Sequence, residues 1–445
     1  MIVLSKLRQD PRYLDMALIL IGVIVLATET PNLNLMDGAI RYKGLDTLLA
    51  HGIDTKMKYS FIGPLFGAPL WYLGRVVESS RWWIGRFNLI VFLAGLLTFW
   101  VILRTEVDRG LLRKFLILLM AASMFPGHLP YYYGEVFTAV LVGTGLAIVT
   151  IRRSWTGWAA VAIGVANTPA TIGGLVLVVG KRMLDSRRLR YLLAGAAAVA
   201  LITAETWIRH RQLIDRAYST DHGPRTLAPY SGRAGFGYPF FFGLVSILFS
   251  FGKGLLFYIP GILLPVRRAL QRMSSRLWEL YVLWVLFVVG LVLVYSRWWA
   301  WQGGGFWGPR FFLFASIPAC LALAVRVHSP SAKALPNLLV MAVLALSVWV
   351  AINGAVYSGA RLALCRQNGF SLEQLCFFVP EFSVLFRPVV YSKHALTTHD
   401  LAFIAFAVVV FVRMAVPLVM ASLGSSRDAL ARARVEYLDM SAWRP

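Results

Sequence analysis

Apolar runs of about 15 to 25 residues recur from one end of the chain to the other, separated by short polar connectors. That is the length a helix needs to cross a hydrocarbon core of about 30 Å. The first run, Met16 to Leu26, is followed by no small-residue cleavage site, so it reads as a retained first helix from about Leu14 to Glu29. Further runs fall at 87–103, 115–127, 133–151, 155–180 with a bend at Asn167-Thr168-Pro169, 190–208, 254–266, 277–295, 311–326, 336–355 and 401–423. Pro239 to Phe251 is apolar but reads as interfacial. The pattern predicts an all-α polytopic integral membrane protein with about twelve crossings and both ends on one side.

Charge decides the topology. The connectors carry Arg104, Arg109, Arg113 and Lys114, then Arg152 and Arg153, then Lys181, Arg182, Arg187, Arg188 and Arg190, then Arg267, Arg268, Arg272 and Arg276. Cytoplasmic loops hold such an excess of basic residues. Lys6, Arg8 and Arg12 place the N-terminus inside by the same rule, and Arg427, Arg432 and Arg434 place the tail there. The segment Tyr59 to Val77 is broken by Gly63, Pro64, Gly67 and Pro69. If it crossed, the connector from Arg104 to Lys114 would lie outside, against the bias. Pro31 to Arg86 is therefore expected to be one extracytoplasmic loop with juxtamembrane helices, within a transmembrane domain of residues 1–424. A basic cytoplasmic tail, 425–445, follows, with a surface helix expected over Ser426 to Leu438.

Composition agrees. Of 445 residues 58% are hydrophobic and 15% charged, against about 25% charged in a soluble domain. The formal charge of +23 lies in membrane connectors with no nucleic-acid motif beside it, so anionic lipid headgroups are the expected partners and nucleic acid is not. Cys320 sits in an apolar run as packing, whereas Cys365 and Cys376 share one extracytoplasmic loop and could be joined or separate. No Cys/His cluster, His-Glu-x-x-His or Walker-type loop indicates a metal or cofactor.

Of only 21 carboxylates, the extracytoplasmic ones carry the candidate chemistry. Asp37 lies just beyond the first helix, and Asn34 before it resembles a helix-capping pair. Its plainer role is a cap residue paired with Arg41, four positions on; its functional role is a general base at the membrane surface beside a cation. Lys253, between Gly252 and Gly254, opens a returning helix and suits a phosphate, or else snorkels at a kink. The loop SRWWAWQGGGFWGPR places Arg297 and Arg310 to fork onto phosphate oxygens. Its rings and amide, with Trp301, Gln302 and Trp307, suit a sugar, and Tyr59 is grouped with them. Glu135, at the outer mouth of its helix, is costly unless paired and so carries a functional or network role, with Glu205 a weaker case.

In order, these features are an acid after the first helix, GPLFGAPLWYLG, a Glu-bearing turn, SFGKGLLFYIP and WWAWQGGGFWGPR. The series resembles the GT-C superfamily of polytopic bacterial glycosyltransferases, relatives of protein mannosyltransferases and lipid A aminoarabinose transferases. The resemblance spans about residues 14 to 330. Phe251 departs from a usual proline, and Gly305 and Phe306 from a usual polar pair. It implies transfer of a sugar from a polyprenyl-phosphate donor to an extracytoplasmic glycan, glycolipid or protein, usually with inversion, in the plasma or inner membrane. It also implies that Asp37 is the catalytic carboxylate and that Lys253 and Arg310 lie near the carrier phosphate. A transporter or lipid flippase of equal crossing number is the competing reading, since broken helices are common there.

Overall fold

The computed structural model describes residues 11–33, 36–52, 57–77, 79–213, 217–359, 365, 367–390 and 394–441. Each long apolar run is helical, because hydrocarbon offers the backbone no hydrogen-bond partner and a helix satisfies its own. After α1 (Pro11–Thr28), two helices of the first loop follow, α2 (Met36–His51) and α3 (Ala68–Val77). The chain then runs through α4 (Phe87–Leu103), α5 (Arg109–Ala121), α6 (Gly134–Ala147), α7 (Thr156–Asn167), α8 (Ile172–Ser186) and α9 (Leu192–His210). It closes with α10 (Phe240–Phe249), α11 (Ser275–Tyr295), α12 (Ser316–His328), α13 (Ala334–Tyr357) and α14 (Thr398–Ser441). Among the described residues the sole β feature is an isolated bridge between His222 and Ala234. The protein is all-α, polytopic and membrane-embedded. Among the described residues, length and apolarity alone mark six spans, with α4 and α10 shorter apolar helices.

The centre of the bundle is the segments Gly134–Arg152 and Arg310–His328, each with 83% of its most apolar stretch buried, whereas Leu189–His210 buries only 22%. Close approach inside the bundle uses small residues. α6 and α7 meet where Gly145 and Gly157 each face the other's carbonyl, so a Cβ on either would collide with backbone.

Ion pairs gather at two ends of the bundle. At one, Asp15 meets Arg113 at 3.4 Å and Arg413 at 3.0 Å, Glu106 meets Arg276 at 3.3 Å, and Arg182 meets Glu279. At the other, Asp37 meets Arg310 at 2.6 Å and Glu205 meets Arg209 at 3.1 Å. The basic connectors 104–114, 181–190 and 267–276 therefore share the Asp15 end, and the first loop lies at the Asp37 end.

Three boundaries differ from the expected ones. α5 begins at Arg109 rather than near 115, because the Asp108 side chain accepts from the Gly110 and Leu111 amides at 2.7 and 3.2 Å and caps it. Residues 254–266 form a short turn, Leu255–Tyr258, and a 3-10 turn, Pro260–Leu263, instead of a returning helix. Pro260 lacks an N–H, and Gly261 presses on the Ala319 carbonyl. The tail is no separate element: α14 continues past Pro417 and Gly424 to Ser441, where alanine, arginine and leucine favour helix. Asn34 and residues 442–445 lie outside the described residues.

Candidate functional site

The site is assembled at the Asp37 end by the first loop, the turn before α6, and the loop before α12. α2 is held by Leu45, fully buried against Trp71, Ile84, Phe87 and Tyr132, and by Trp71 Nε1 donating to Asp46 at 2.9 Å. Asp37 lies in its first turn. The C-terminal end of α9 supplies a second anchor: Glu205 accepts from the Phe61 amide at 3.2 Å, while Arg209 donates to the carbonyls of Met57 and Lys58 at 2.9 and 2.8 Å. These two buried residues of α9 fix the strip 57–61 and with it Tyr59. Asn167, at the bend after α7, accepts from Gly63 N at 3.1 Å and donates to Gly134 O at 2.9 Å, setting the start of α6 and hence Glu135.

Asp37 is gripped on both oxygens. Arg310 reaches Oδ2 at 2.6 Å, and the Tyr59 hydroxyl donates to Oδ1 at 2.7 Å. The same guanidinium lies 3.6 Å from Glu135 Oε1, so one cation serves two carboxylates. Aromatic rings wall it in, Phe306 at 4.0 Å, Phe311 at 5.1 Å and Tyr133 at 5.4 Å from its carbon. Burial alone would raise the Asp37 pKa; the Arg310 charge, the two hydrogen bonds and the Arg41 charge outweigh it and hold the carboxyl below its usual 3.8. Burial and the adjacent Asp37 push the Tyr59 phenol up, so it remains a donor. His128, in the turn before α6, is held down to about 3 by burial and by the Arg310 and Lys253 charges, and is therefore neutral.

Arg41 is not the ion partner of Asp37. It donates weakly to Ser60 O at 3.4 Å and lies 5.0 Å from the Tyr59 ring centre. There it lines a cavity of about 280 Å³ with Lys43, Lys58, Tyr59 and Pro64. Lys58 also meets Asp221 at 3.5 Å.

Lys253 is buried, and its ammonium donates to the carbonyls of Gly304, Phe306 and Gly308 at 3.2, 2.5 and 2.9 Å. Three acceptors match its three N–H groups, so it organises the loop that delivers Arg310. Gly303, Gly304 and Gly308 in that loop have φ of 77°, 71° and 62°, conformations that favour glycine, and this explains the glycines. Lys253→Met should leave those carbonyls without a donor at about 1–3 kcal/mol each, lowering the thermal unfolding midpoint measured in detergent.

Trp301, Gln302 and Trp307 are buried in the loop's interior, and Trp307 Nε1 donates to Asn353 Oδ1 at 2.7 Å. Arg297 is exposed, its Nε turned to Phe236 O at 3.3 Å, and does not join Arg310 in a fork. Cys365 and Cys376 are joined in a disulfide, and the helix carrying Cys376 abuts the Lys253 strip through Gly252 N donating to Phe377 O at 2.9 Å. Tyr133 and Asn167 are the residues that sequence reasoning missed as site members. The tyrosine run and the Asn-Thr-Pro bend were the available signals. Buried Tyr133 Oη, Glu135 Oε2, Gln302 Oε1 and Arg310 Nε make no hydrogen bond among the described residues. Buried polar atoms in native proteins are nearly always satisfied, so this cluster is suited to a polar ligand.

Among solved structures, ArnT from Cupriavidus metallidurans bound to undecaprenyl phosphate shares this fold, with a TM-score of 0.51 and 15% identity. The match covers 93% of this chain and 77% of that one. No family model matches the chain, and no curated protein matches it by sequence. The shared fold agrees with the motif resemblance found in the sequence.

Proposed function

We propose that the chain transfers a sugar from a polyprenyl-phosphate donor to a hydroxyl acceptor at the extracytoplasmic face of the plasma or inner membrane. The observation that carries this reading is Asp37, ionised and aimed by Arg310 and Tyr59, beside a basic cavity and a set of unsatisfied polar atoms. It gains from the fold shared with ArnT, a protein captured with undecaprenyl phosphate.

In the reaction, a free lone pair of Asp37 takes the acceptor's hydroxyl proton. The oxygen attacks the anomeric carbon, the bond to the phosphate oxygen breaks, and polyprenyl phosphate departs with the electron pair, inverting the centre. Arg41, on the cavity wall, meets the departing phosphate, with Lys43 and Lys58 behind it. Arg310 keeps the carboxylate charged, and Glu135, Tyr133 and Gln302 receive hydroxyls of the sugar or acceptor. No metal takes part in this scheme, so transfer should survive a chelator.

Incubation of the purified chain with a radiolabelled polyprenyl-phosphate sugar and membrane acceptors tests the reading. Label should move to acceptor. Donor that is bound and released unchanged would instead indicate a carrier or flippase.

Acid dependence follows from the lowered Asp37 pKa. Its folded value lies below the unfolded 3.8, so its stabilising contribution is complete above 3.8 and is lost as pH falls through the folded value. The rate profile should accordingly show no acid limb from this group between about pH 5 and 7. An inflection there that disappears in Asp37→Asn would refute the ion-paired assignment.

A further inference from the structure

The Asp15 end holds a second cavity, of about 280 Å³, which the proposed transfer does not use. Four arginines line it, Arg153, Arg182, Arg188 and Arg190, against one carboxylate, Glu279. That carboxylate is already committed to Arg182. Arg182 also donates to Thr150 Oγ1 at 2.7 Å, and its buried Nε makes no hydrogen bond among the described residues. Arg153 and Arg188 form no ion pair among the described residues, and Arg190 rests over Trp155 and Tyr191 at 5.8 and 5.5 Å. Among the described residues, three guanidiniums with no carboxylate partner therefore converge on one concavity from the α6–α7 connector and the α8–α9 connector.

This cavity is remote from Asp37. Glu279 lies in the first turns of α11, whereas Tyr295 at its far end shares a wall with Glu135 and Arg310. At 1.5 Å per residue those two positions are about 24 Å apart. A donor at the Asp37 site cannot also fill this one.

We propose that the second cavity binds the phosphodiester headgroup of an anionic phospholipid in the leaflet opposite the transfer site. Guanidiniums match phosphate oxygens with paired N–H donors, and several of them meeting one small concavity suit a tetrahedral anion better than a planar carboxylate. Trp155, 43% exposed, and Tyr191 stack at 6.1 Å beside it, the ring types that lie at headgroup depth. Leu189, Leu192 and Leu193 are all more than half exposed on the adjoining start of α9, an apolar track for the acyl chains. That track favours a lipid over free phosphate.

The test uses the full chain in nanodiscs of phosphatidylcholine mixed with phosphatidylglycerol, released into detergent for native mass spectrometry. Wild type should retain phosphatidylglycerol, and the variant Arg153→Gln/Arg188→Gln/Arg190→Gln should retain it at least about tenfold less, each lost charged hydrogen bond being worth that much. An unchanged unfolding midpoint in the variant shows that the fold persists. Equal retention by wild type and variant would overturn the site. So would phosphatidylcholine held as well as phosphatidylglycerol. Displacement of the lipid by inorganic phosphate at equal concentration would overturn the lipid assignment, because the acyl track would then contribute nothing.

Discussion

Asp37→Asn should abolish sugar transfer by about 10²–10⁴-fold while donor binding survives. The amide keeps one oxygen for the Tyr59 hydroxyl, which now lies 2.7 Å from Oδ1, and cannot accept a proton from an attacking hydroxyl. Its nitrogen would face Arg310, donor against donor, so the guanidinium is left with Glu135 as its carboxylate partner. In the proposed scheme the donor contacts lie elsewhere, on the cavity wall carrying Arg41 and Lys43, which the substitution leaves unchanged. Single-turnover transfer from a radiolabelled donor, measured beside equilibrium donor binding, separates the two effects. Turnover near the wild-type rate would remove Asp37 from the chemistry, whatever the fold.

The second large effect is on stability. Arg310→Gln removes the one cation between two carboxylates that are only 13% and 12% exposed, Asp37 and Glu135. Breaking a buried pair by taking away one partner costs about 3–5 kcal/mol, because the remaining charge is stranded. Two would be stranded here. The thermal unfolding midpoint should therefore fall steeply, and adding Glu135→Gln to the same chain should recover part of the loss by removing one orphan charge. Such coupling is the signature of residues in one network, and strictly additive losses would show that Glu135 and Arg310 act independently. Arg310→Lys should fall between, keeping the charge but losing the fork that spans both carboxylates. Transfer should drop in all three variants, since Asp37 loses the group that holds it ionised.

These two experiments fail in different ways. Loss of stability with transfer retained would make Arg310 a structural cation. Loss of transfer in Asp37→Asn with stability retained would isolate the chemistry.

The apolar runs placed α4, α6, α9, α11 and α13, and the start of α14, to within a few residues, because crossing hydrocarbon imposes a length and a composition that can be counted along the chain. The basic connectors then grouped themselves at one end. What sequence handled poorly were the places where one proline or one cap overrides the pattern. Asp108 started α5 more than a turn early, and Pro260 dissolved the helix expected at 254–266. The separate tail helix failed for the opposite reason, since Gly424 does not end α14, which continues through it to Ser441.

The site divides the same way. That Asp37, Glu135 and Arg310 share one end of the bundle followed from charge and hydropathy, which are properties of each segment taken singly. That Arg310, and not Arg41, holds Asp37 did not follow, since helical spacing offers the neighbour four positions on and says nothing of a loop hundreds of residues away. Nor did the sequence reveal that Lys253 would spend its three protons on the carbonyls of the glycine loop. Coulomb and hydrogen-bond energies depend on separation in space. Sequence assigned each charge to a depth in the membrane, and only packing chose its partner.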